Sequence, residues 1–353
     1  MSNRRIQGSR QPAAGRRRRG RGFSLIELMI AMVLGLVVTA GAISVFVASR
    51  RTYQANEGLS GVQENARIAF ELMARDLRQA GLTGCNTNGR LANVLNNGPN
   101  GPAYDPAVDW FLNWDNAVHG YDAGQDDPAV VTGTAERQRV AGTDSVQLVG
   151  AKGLGLSVAE TPSGPAANFK LSATTSDIVD GDIVVVCDPD HAAVVQVTVQ
   201  NGSNVTLVHN NGSTVSPGNC SKGLGFPTVC TTNGNEYTFD RNSAISKMVA
   251  TDWYIGNNAD GGRSLYRIAM INQAGVPTTQ AQEMVRDVTN LQVQYHPKGG
   301  ADFVDAASGP AWTSVDAVRV TLTLQSTDKR AGTGFAPIQR SFTSTTVLRN
   351  RTN

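Results

Sequence analysis

Residues 16–30 of this chain read RRRRGRGFSLIELMI, and the abrupt change from basic to apolar composition makes this the most informative part of the sequence. The apolar segment, residues 23–47, is 25 residues long and carries a single charge, Glu27. As a helix that rises about 1.5 Å per residue, it is long enough to cross a hydrocarbon core of about 30 Å. The composition therefore predicts a membrane-spanning helix near the N-terminus.

The order of the segments separates this helix from a secretory signal peptide. In a signal peptide the small-residue cleavage site follows the apolar core, whereas here the small residue, Gly22, precedes it. A cut after Gly22 would remove a basic leader, residues 1–22, and keep the membrane helix. An ordinary single-pass anchor is the simpler alternative, but it does not explain Glu27, which is costly in lipid without a partner.

Residues 22–27, GFSLIE, resemble the type IV prepilin (class III) signal. The resemblance includes the basic leader, glycine before the cut, phenylalanine after it and glutamate at the fifth retained position. It implies cleavage between Gly22 and Phe23 by prepilin peptidase on the cytoplasmic face, followed by N-methylation of Phe23. It also implies an assembly role for Glu27, which pairs with the Phe23 amine of a neighbouring subunit.

The charge balance depends on whether the leader is retained. The whole chain has a formal charge of +2, but residues 1–22 contain eight arginines and no acid. Without them, 23 of the 31 Lys and Arg remain against 29 Asp and Glu, which leaves a net charge of −6. Before cleavage the arginines hold the N-terminus in the cytoplasm. The mature charge makes nucleic-acid binding an unlikely general function.

The four cysteines, Cys85, Cys187, Cys220 and Cys230, all follow the membrane helix, in a compartment that permits disulfides. Four cysteines allow three connectivities, and spacing alone suggests Cys220–Cys230 and Cys85–Cys187. Free thiols remain an alternative. Zinc is disfavoured because no CxxC occurs and the histidines have no ligand-like spacing.

The helix is predicted to continue beyond the membrane, so that residues 23–80 form one element about 87 Å long. Gly81 and Gly84 supply the stop signal. Gly58 and Gly61 are either tolerated within a regular long helix or mark a flexible zone in it. One apolar stripe recurs every three or four residues through Leu59, Val62, Ala66, Ala69, Met73 and Leu77.

The remainder predicts a β-rich domain. Residues 85–140 are irregular, with interleaved aromatic residues that we interpret as packing against the core. Asp122, Asp126 and Asp127 are interpreted as solvated loop acids in preference to a calcium site. Apolar or alternating runs predict strands at 145–151, 182–187, 193–200, 204–208, 247–255, 264–271, 288–295, 317–324 and 338–348. Residues 201–203 and 257–262 read as hairpin turns, and residues 209–235 as a loop.

These elements predict an α+β fold of pilin type, in which a long N-terminal helix packs on a mainly antiparallel sheet. The expected domains are the cleaved leader 1–22, a transmembrane and assembly helix 23–47, its extracytoplasmic continuation 48–84, and a globular domain 85–353. No common catalytic motif occurs: GxSxG, HExxH, a P-loop and a strand-linked GxGxxG are all missing. We therefore expect a non-enzyme with no cofactor and no metal.

Beyond the signal, four segments resemble the PilW family of type IV pilus minor pilins, which is related to the GspJ-type minor pseudopilins of type II secretion. They are residues 75–81 (RDLRQAG), 264–267 (SLYR), 288–295 (VTNLQVQY) and 340–351 (RSFTSTTVLRNR). The resemblance implies a part in initiating pilus assembly and in the pilus-tip complex. Implied partners are prepilin peptidase, other minor pilins, the major pilin, the inner-membrane assembly platform and a PilY-type tip adhesin.

The same resemblance implies an inner-membrane location with a cytoplasmic N-terminus and a periplasmic C-terminal domain, followed by the pilus at the cell surface. Three alternatives remain open. The chain is long for a GspJ-like pseudopilin, and gene neighbours would separate that possibility. A minor pilin that binds DNA or a surface through the aromatic loop 104–121 is the second. The third is an anchored extracytoplasmic enzyme.

Overall fold

The computed structural model describes residues 22–85, 90–160, 167–200, 202–203, 205–212 and 215–348. The leader arginines and the end of the tail, residues 349–351, lie outside the described residues. The chain divides into two compact units, Met1–Gln54 and Ala55–Asn353. The helix α1, Leu25–Gln79, has its first part in one unit and its second part in the other.

The first unit consists, in its described part, of exposed apolar helix. Phe23 is 82% exposed, and the large apolar side chains of residues 25–47 are exposed in the same way. Among the described residues, α1 is the one helix long and apolar enough to cross a membrane. Two hydroxyl groups in this part of α1 are hydrogen-bonded within the helix, because Thr39 donates to the carbonyl of Gly35 at 2.7 Å and Ser44 to that of Gly41 at 2.8 Å. Such internal bonds suit a helix surrounded by apolar groups.

The second part of α1 belongs to the core of the second unit. The predicted stripe is buried at Val62, Ala66, Ala69, Met73 and Leu77, whereas Leu59 is only half-buried. These side chains share a hydrophobic cluster with residues of the β-sheets such as Trp253 and Leu322. The amphipathic pattern of this part of the helix is therefore used as predicted, against a sheet.

Two glycines shape the end of α1. Gly81 adopts φ 71°, a left-handed conformation that favours glycine, and its N–H donates to the carbonyl of Val149 at 2.8 Å. A Cβ at Gly150 would lie 2.1 Å from the carbonyl oxygen of Gln79, so the strand can approach the helix end only as glycine. The predicted stop at residue 81 thus coincides with a close backbone contact between helix and sheet.

The larger sheet has ten strands in the order β1-β6-β5-β8-β3-β4-β7, with β2 paired to β3, β9 to β8 and β10 to β9. All of these pairs are antiparallel except β1 with β6. Its strands are β1 (Leu91–Asn93), β2 (Val118–Tyr121), β3 (Ser145–Glu160), β4 (Asn168–Leu171), β5 (Ile183–Cys187), β6 (Ala192–Gln196), β7 (Thr206–Val208), β8 (Ala244–Asn257), β9 (Arg263–Gln273) and β10 (Val276–Arg286).

The smaller sheet has four antiparallel strands in the order β12-β11-β13-β14. Its strands are β11 (Val288–Pro297), β12 (Val304–Asp305), β13 (Val315–Gln325) and β14 (Gln339–Val347). Burial alternates along β13, as the sequence pattern predicts. With one long helix followed by mainly antiparallel sheet, the predicted α+β pilin-like fold is confirmed.

Every predicted strand overlaps an observed one, but β1, β2, β4, β10 and β12 were not predicted. The hairpin predicted between residues 193–200 and 204–208 includes residues 201 and 204, which lie outside the described residues, and its described part shows an isolated bridge between Val199 and Val208. The regular ladder of β7 runs instead with β4. The predicted turn at 257–262 does join β8 to β9, and the Asn258 carboxamide accepts the N–H groups of Asp260 and Gly262.

In the irregular region, two short 3-10 helices place aromatic side chains in the core. Trp110, Phe111 and Trp114 are buried beside β5 and β6 in one hydrophobic cluster, as we interpreted them. One of the loop acids differs from expectation. Asp126 is exposed and Asp122 is half-buried, with its carboxylate accepting the backbone N–H groups of residues 306 and 307, whereas Asp127 is buried, so the prediction of solvated acids was wrong for Asp127.

Candidate processing and assembly site

The Gly22–Phe23 bond lies in non-helical backbone just before α1, and both residues are exposed. A protease binds its substrate in an extended conformation more readily than inside a helix, since helical backbone groups are already hydrogen-bonded to one another. The predicted cleavage point is therefore placed where a peptidase can reach it. Cleavage itself stays a prediction.

Ser24 and Glu27 form a reciprocal cap at the first turn of α1. The Ser24 N–H donates to Oε2 of Glu27 at 3.0 Å, and the Glu27 N–H donates to Oγ of Ser24 at 3.2 Å. This is a capping box, in which the two side chains satisfy two backbone donors that the helix leaves unpaired. A carboxylate at this end also interacts favourably with the helix dipole.

The capping role of Glu27 was missed in the sequence, although the pattern Ser-x-x-Glu before an apolar run is its usual signature. The same residues also form the prepilin-like signal, and that resemblance implies an assembly role for Glu27 but says nothing about helix capping. The two roles are compatible, because only Oε2 of Glu27 accepts a hydrogen bond among the described residues.

Both predicted cysteine pairs are present as disulfides. Cys85–Cys187 joins the segment after α1 to the end of β5, with a Cα–Cα distance of 5.9 Å. Cys220–Cys230 closes the long loop before β8 at 4.9 Å. Since none of the four thiols is free, none is available as a metal ligand. Within the described ranges, no group of three or more His, Cys, Asp or Glu side chains is arranged for a metal ion.

Asp76 anchors the end of α1 to the larger sheet. Its Oδ2 accepts the Arg267 Nε–H at 2.7 Å and the Trp253 Nε1–H at 3.0 Å. This contact joins two of the four segments that carry the minor-pilin resemblance, residues 75–81 and 264–267. Residues 288–295 lie on β11 and residues 340–347 on β14, both in the smaller sheet, with β13 between these two strands.

A polar network lies in the interior beneath residues 121–144, and sequence reasoning did not find it. The buried Arg139 guanidinium donates to the carbonyls of Tyr121 (3.2 Å), Asp122 (2.9 Å), Gln125 (3.0 Å) and Thr143 (3.0 Å from Nε). It therefore ties both ends of this loop to one side chain. A guanidinium suits this task because its donors form a fixed planar fork.

Two buried carboxylates, Asp127 and Asp252, lie in the same part of the interior, within the electrostatic influence of Arg139. Asp127 accepts hydrogen bonds from the Ser145 hydroxyl, from Gln147 Nε2 at 2.8 Å and from the backbone N–H of Ala129 at 2.8 Å. Asp252 lies on β8, next to β3, the strand that carries Ser145 and Gln147. It is completely buried, and no described residue donates to either of its oxygens. Two carboxylates this deep cannot both stay charged against one arginine.

Burial raises the pKa of Asp252 well above its ordinary value, and the nearby charge of Asp127 raises it further. Burial also raises the pKa of Asp127, although its hydrogen bonds partly oppose the change. Asp252 in its neutral form can donate to Asp127, which leaves one net negative charge beside Arg139. The two side chains form a buried acid pair in the interior of the second unit.

The four histidines are scattered, as the sequence suggests. Burial lowers the pKa of His119 and of His209 to about 4, so both are neutral at physiological pH. Burial also lowers the pKa of His191. The pKa of His296 is raised by its hydrogen bond to Asp316, whose Oδ1 lies 2.6 Å from Nδ1. None of the four is placed beside a nucleophile in a described cleft.

A family model described as the prokaryotic N-terminal methylation motif matches residues 17–43 of the chain. No curated protein matches the chain. The match covers the predicted cleavage site, Glu27 and most of the apolar helix, and it supports a type IV pilin or pseudopilin. The motif implies processing by prepilin peptidase and assembly with other pilins, and together with α1 it indicates membrane anchoring. The motif suggests a structural protein.

Proposed function

We propose that this chain is a minor pilin of the PilW type, which takes part in the initiation of type IV pilus assembly and in the pilus-tip complex. The observation that carries the proposal is the methylation motif at the start of an exposed apolar helix, with Glu27 capping its first turn. The four segments that resemble the PilW family give the proposal its finer part. The domain limits set out above, with a leader 1–22 and a membrane helix 23–47, belong to the same proposal.

Processing creates the group that assembly requires. Hydrolysis of the Gly22–Phe23 amide adds water across the bond, releases residues 1–22 with a new carboxylate and leaves an amino group on Phe23. That amine is then methylated and remains basic. The step also removes every arginine that precedes the apolar segment, so the mature N-terminus is no longer held on the cytoplasmic side by charge.

Glu27 then has two successive partners. In a single subunit its Oε2 accepts the N–H of Ser24. In an assembly, the Phe23 amine of the neighbouring subunit supplies a positive charge to the same carboxylate. A carboxylate surrounded by apolar groups is expensive without an opposite charge, so this pairing favours one register of the packed helices.

The second unit supplies the part exposed beyond the membrane. Its size, Ala55–Asn353, and its two disulfides fit an extracytoplasmic domain that folds before assembly. The partners we propose are other minor pilins, the major pilin, the inner-membrane assembly platform and a PilY-type adhesin. The orientation is N-terminus in the cytoplasm and the β-rich domain in the periplasm, then at the pilus tip.

Mass spectrometry of the N-terminus tests the processing step. Co-expression of the full chain with a prepilin peptidase should yield a mature protein that begins with N-methylated Phe23. The variant Gly22→Val should accumulate as the uncut precursor, because a larger side chain before the bond blocks access, while Gly20→Val is a control that leaves processing intact. A mature-size band from Gly22→Val would overturn the peptidase assignment.

Crosslinking with mass spectrometry in intact cells that carry the neighbouring genes tests the finer role. Crosslinks to other minor pilins and to the pilus assembly platform support a pilus initiator. Crosslinks confined to type II secretion components would identify a GspJ-like pseudopilin and overturn the pilus role while leaving the processing step unaffected.

A further inference from the structure

Two long strands, β10 and β14, lie at the edges of their sheets. Among the described residues, β10 pairs only with β9, and β14 pairs only with β13. Alternate residues of an edge strand direct their N–H and C=O groups away from the sheet, where another strand can bind them. Soluble proteins normally block such edges with proline, bulges or charged side chains.

The β10 edge is blocked in all three ways. Pro277 lacks an N–H, and a register shift between Glu283 and Val285 interrupts the pairing with β9. Charged side chains surround the end of the strand, where Arg286 contacts Asp260 at 2.5 Å and Glu283 at 3.3 Å. A second strand could not run along this edge without losing hydrogen bonds or displacing ion pairs.

The β14 edge has neither a proline nor a register shift, and it carries one charged side chain where the β10 edge carries a group of ion pairs. Its nine residues pair with β13 from Gln339 to Val347 without a register shift, and they include no proline, no lysine and no acidic residue. Arg340 is the one charge. The outward-facing Ser341, Thr343 and Thr345 are exposed. A long, regular and nearly uncharged edge is rare in a soluble domain unless it is used for binding.

Side-chain contacts on both faces of β14 hold it in an extended conformation, which is the conformation that pairing with another strand requires. On its inner face, Phe342 packs against the main hydrophobic cluster and Leu348, the next residue after the strand, is fully buried. On its outer face, the hydroxyls of Thr343 and Thr321 lie 3.0 Å apart, and those of Ser341 and Thr323 lie 2.8 Å apart. Because β14 is already ordered, a partner loses little free energy in ordering it.

We infer that β14 is a docking edge for an extended segment of another polypeptide, which adds to the smaller sheet as a fifth strand. A row of backbone donors and acceptors in extended geometry is complementary to another extended backbone and not to a compact ligand. The chemistry of the edge favours a segment that carries hydroxyl or amide side chains and one carboxylate near Arg340. A second copy of β14 offers no carboxylate to Arg340, so the partner is a different chain. The inference does not depend on the pilus role proposed above.

Site-specific photocrosslinking in the full-length chain, in cells that carry the neighbouring genes, tests the inference. A photoreactive amino acid placed singly at residues 341, 343 and 345 should join one partner, at sites two residues apart along a single segment, because neighbouring strands share that period. The same amino acid at residues 280 and 282 of β10 is the control and should give no such series. Scattered sites, no adduct, equal adducts from β10, or a series along β14 of a second copy would each overturn it.

A pair of lysines on the edge supplies an independent test. Thr343→Lys with Thr345→Lys should lower the adduct yield from residue 341 about tenfold, since lysine on an edge strand opposes pairing. Gln280→Lys with Gln282→Lys adds the same charge to the β10 edge and should leave that yield unchanged. Equal yields in both double variants would contradict the inference, and melting curves show whether each variant is folded. If the β14 variant fails to fold, the crosslink series by itself decides the question.

Discussion

The two parts of α1 have the same backbone geometry but opposite side-chain patterns. Residues 25–47 are apolar around the whole circumference and exposed, whereas from residue 59 onward the apolar positions form one stripe that is buried. A helix apolar on all sides requires apolar surroundings, and an amphipathic helix requires only one packed face. The difference shows that one continuous element is built for two environments.

The two units also differ in how they accommodate a carboxylate among apolar groups. Glu27 is exposed, and it caps the first turn of α1 by accepting the Ser24 N–H. Asp252 is completely buried, and burial together with the nearby charge of Asp127 raises its pKa well above the ordinary value. An exposed carboxylate can be reached by a group on another chain, whereas a fully buried one cannot.

The largest effect is expected from Leu77→Ala, which tests the buried stripe. Leu77 is 1% exposed in the core, so removing its side chain should lower the free energy of unfolding of the second unit by about 2–5 kcal/mol. Leu36→Ala is the matched control, because Leu36 is 70% exposed and its loss should change that free energy by less than about 0.5 kcal/mol. Denaturant unfolding in detergent measures both. Equal losses would refute the comparison between the two parts of the helix.

Asp252→Asn should remove a pH dependence of stability. Because the pKa of Asp252 is raised in the folded state, the folded chain binds a proton that the unfolded chain has lost. Stability of the wild type should therefore fall as pH rises above the ordinary aspartate pKa, by at most about 1.4 kcal/mol per pH unit for this proton. This decrease in stability ends when the pH passes the pKa of Asp252 in the folded state. Asparagine resembles the neutral acid, so the variant should be the more stable form at pH 8.

Thermal unfolding between pH 5 and pH 9 measures this effect. The stability of Asp252→Asn should still depend on pH to some extent, since burial also raises the pKa of Asp127 and raises that of Asp144 to about 6. Asp126→Asn, at an exposed neighbouring carboxylate, should leave the wild-type profile unchanged. Parallel profiles for wild type and Asp252→Asn would show that Asp252 holds no proton at neutral pH.

Glu27→Ala should leave cleavage and export intact but reduce incorporation into pili by about tenfold, equivalent to about 1.4 kcal/mol. The reason is that the neighbouring Phe23 amine loses its counter-charge. Immunoblots of sheared pili and of membranes separate incorporation from export. Unchanged piliation together with unchanged co-purification of the other minor pilins would count against the proposed assembly role.

Ser24→Ala should have the smallest effect. It removes one side of the capping box and should destabilise the first turn of α1 by about 1 kcal/mol while leaving the β-rich unit unchanged. Hydrogen exchange of the amides of residues 24–28 in detergent measures the local opening. Ser24→Asp, which retains a cap, should restore protection. Loss of protection in both variants would mean that the cap does not hold this turn.

The elements that could be predicted are those whose pattern is local. The signal, the helix limits within two residues, the stripe from Val62 to Leu77 and the alternation along β13 follow from hydrophobic period and turn residues. The strand β10 was missed because its hairpin turn is Ala274–Gly275, with φ 53° and 89°, and alanine is an unusual residue at positive φ. Its 11 residues, of which five are exposed and two buried, show no regular alternation either.

By itself the sequence determined that the chain has an N-terminal methylation motif, a helix of membrane length and an antiparallel β-rich domain, because each depends on residues close together along the chain. Only the tertiary structure decided that Asp127 and Asp252 form a buried pair, that Asp76 binds Trp253 and Arg267, and that β14 has an open edge. These features join residues far apart in the chain. The composition of a short segment does not reveal whether its side chains are buried or whether another strand lies beside it. The environment of a side chain, and not its type, separates a solvated loop acid from a buried one.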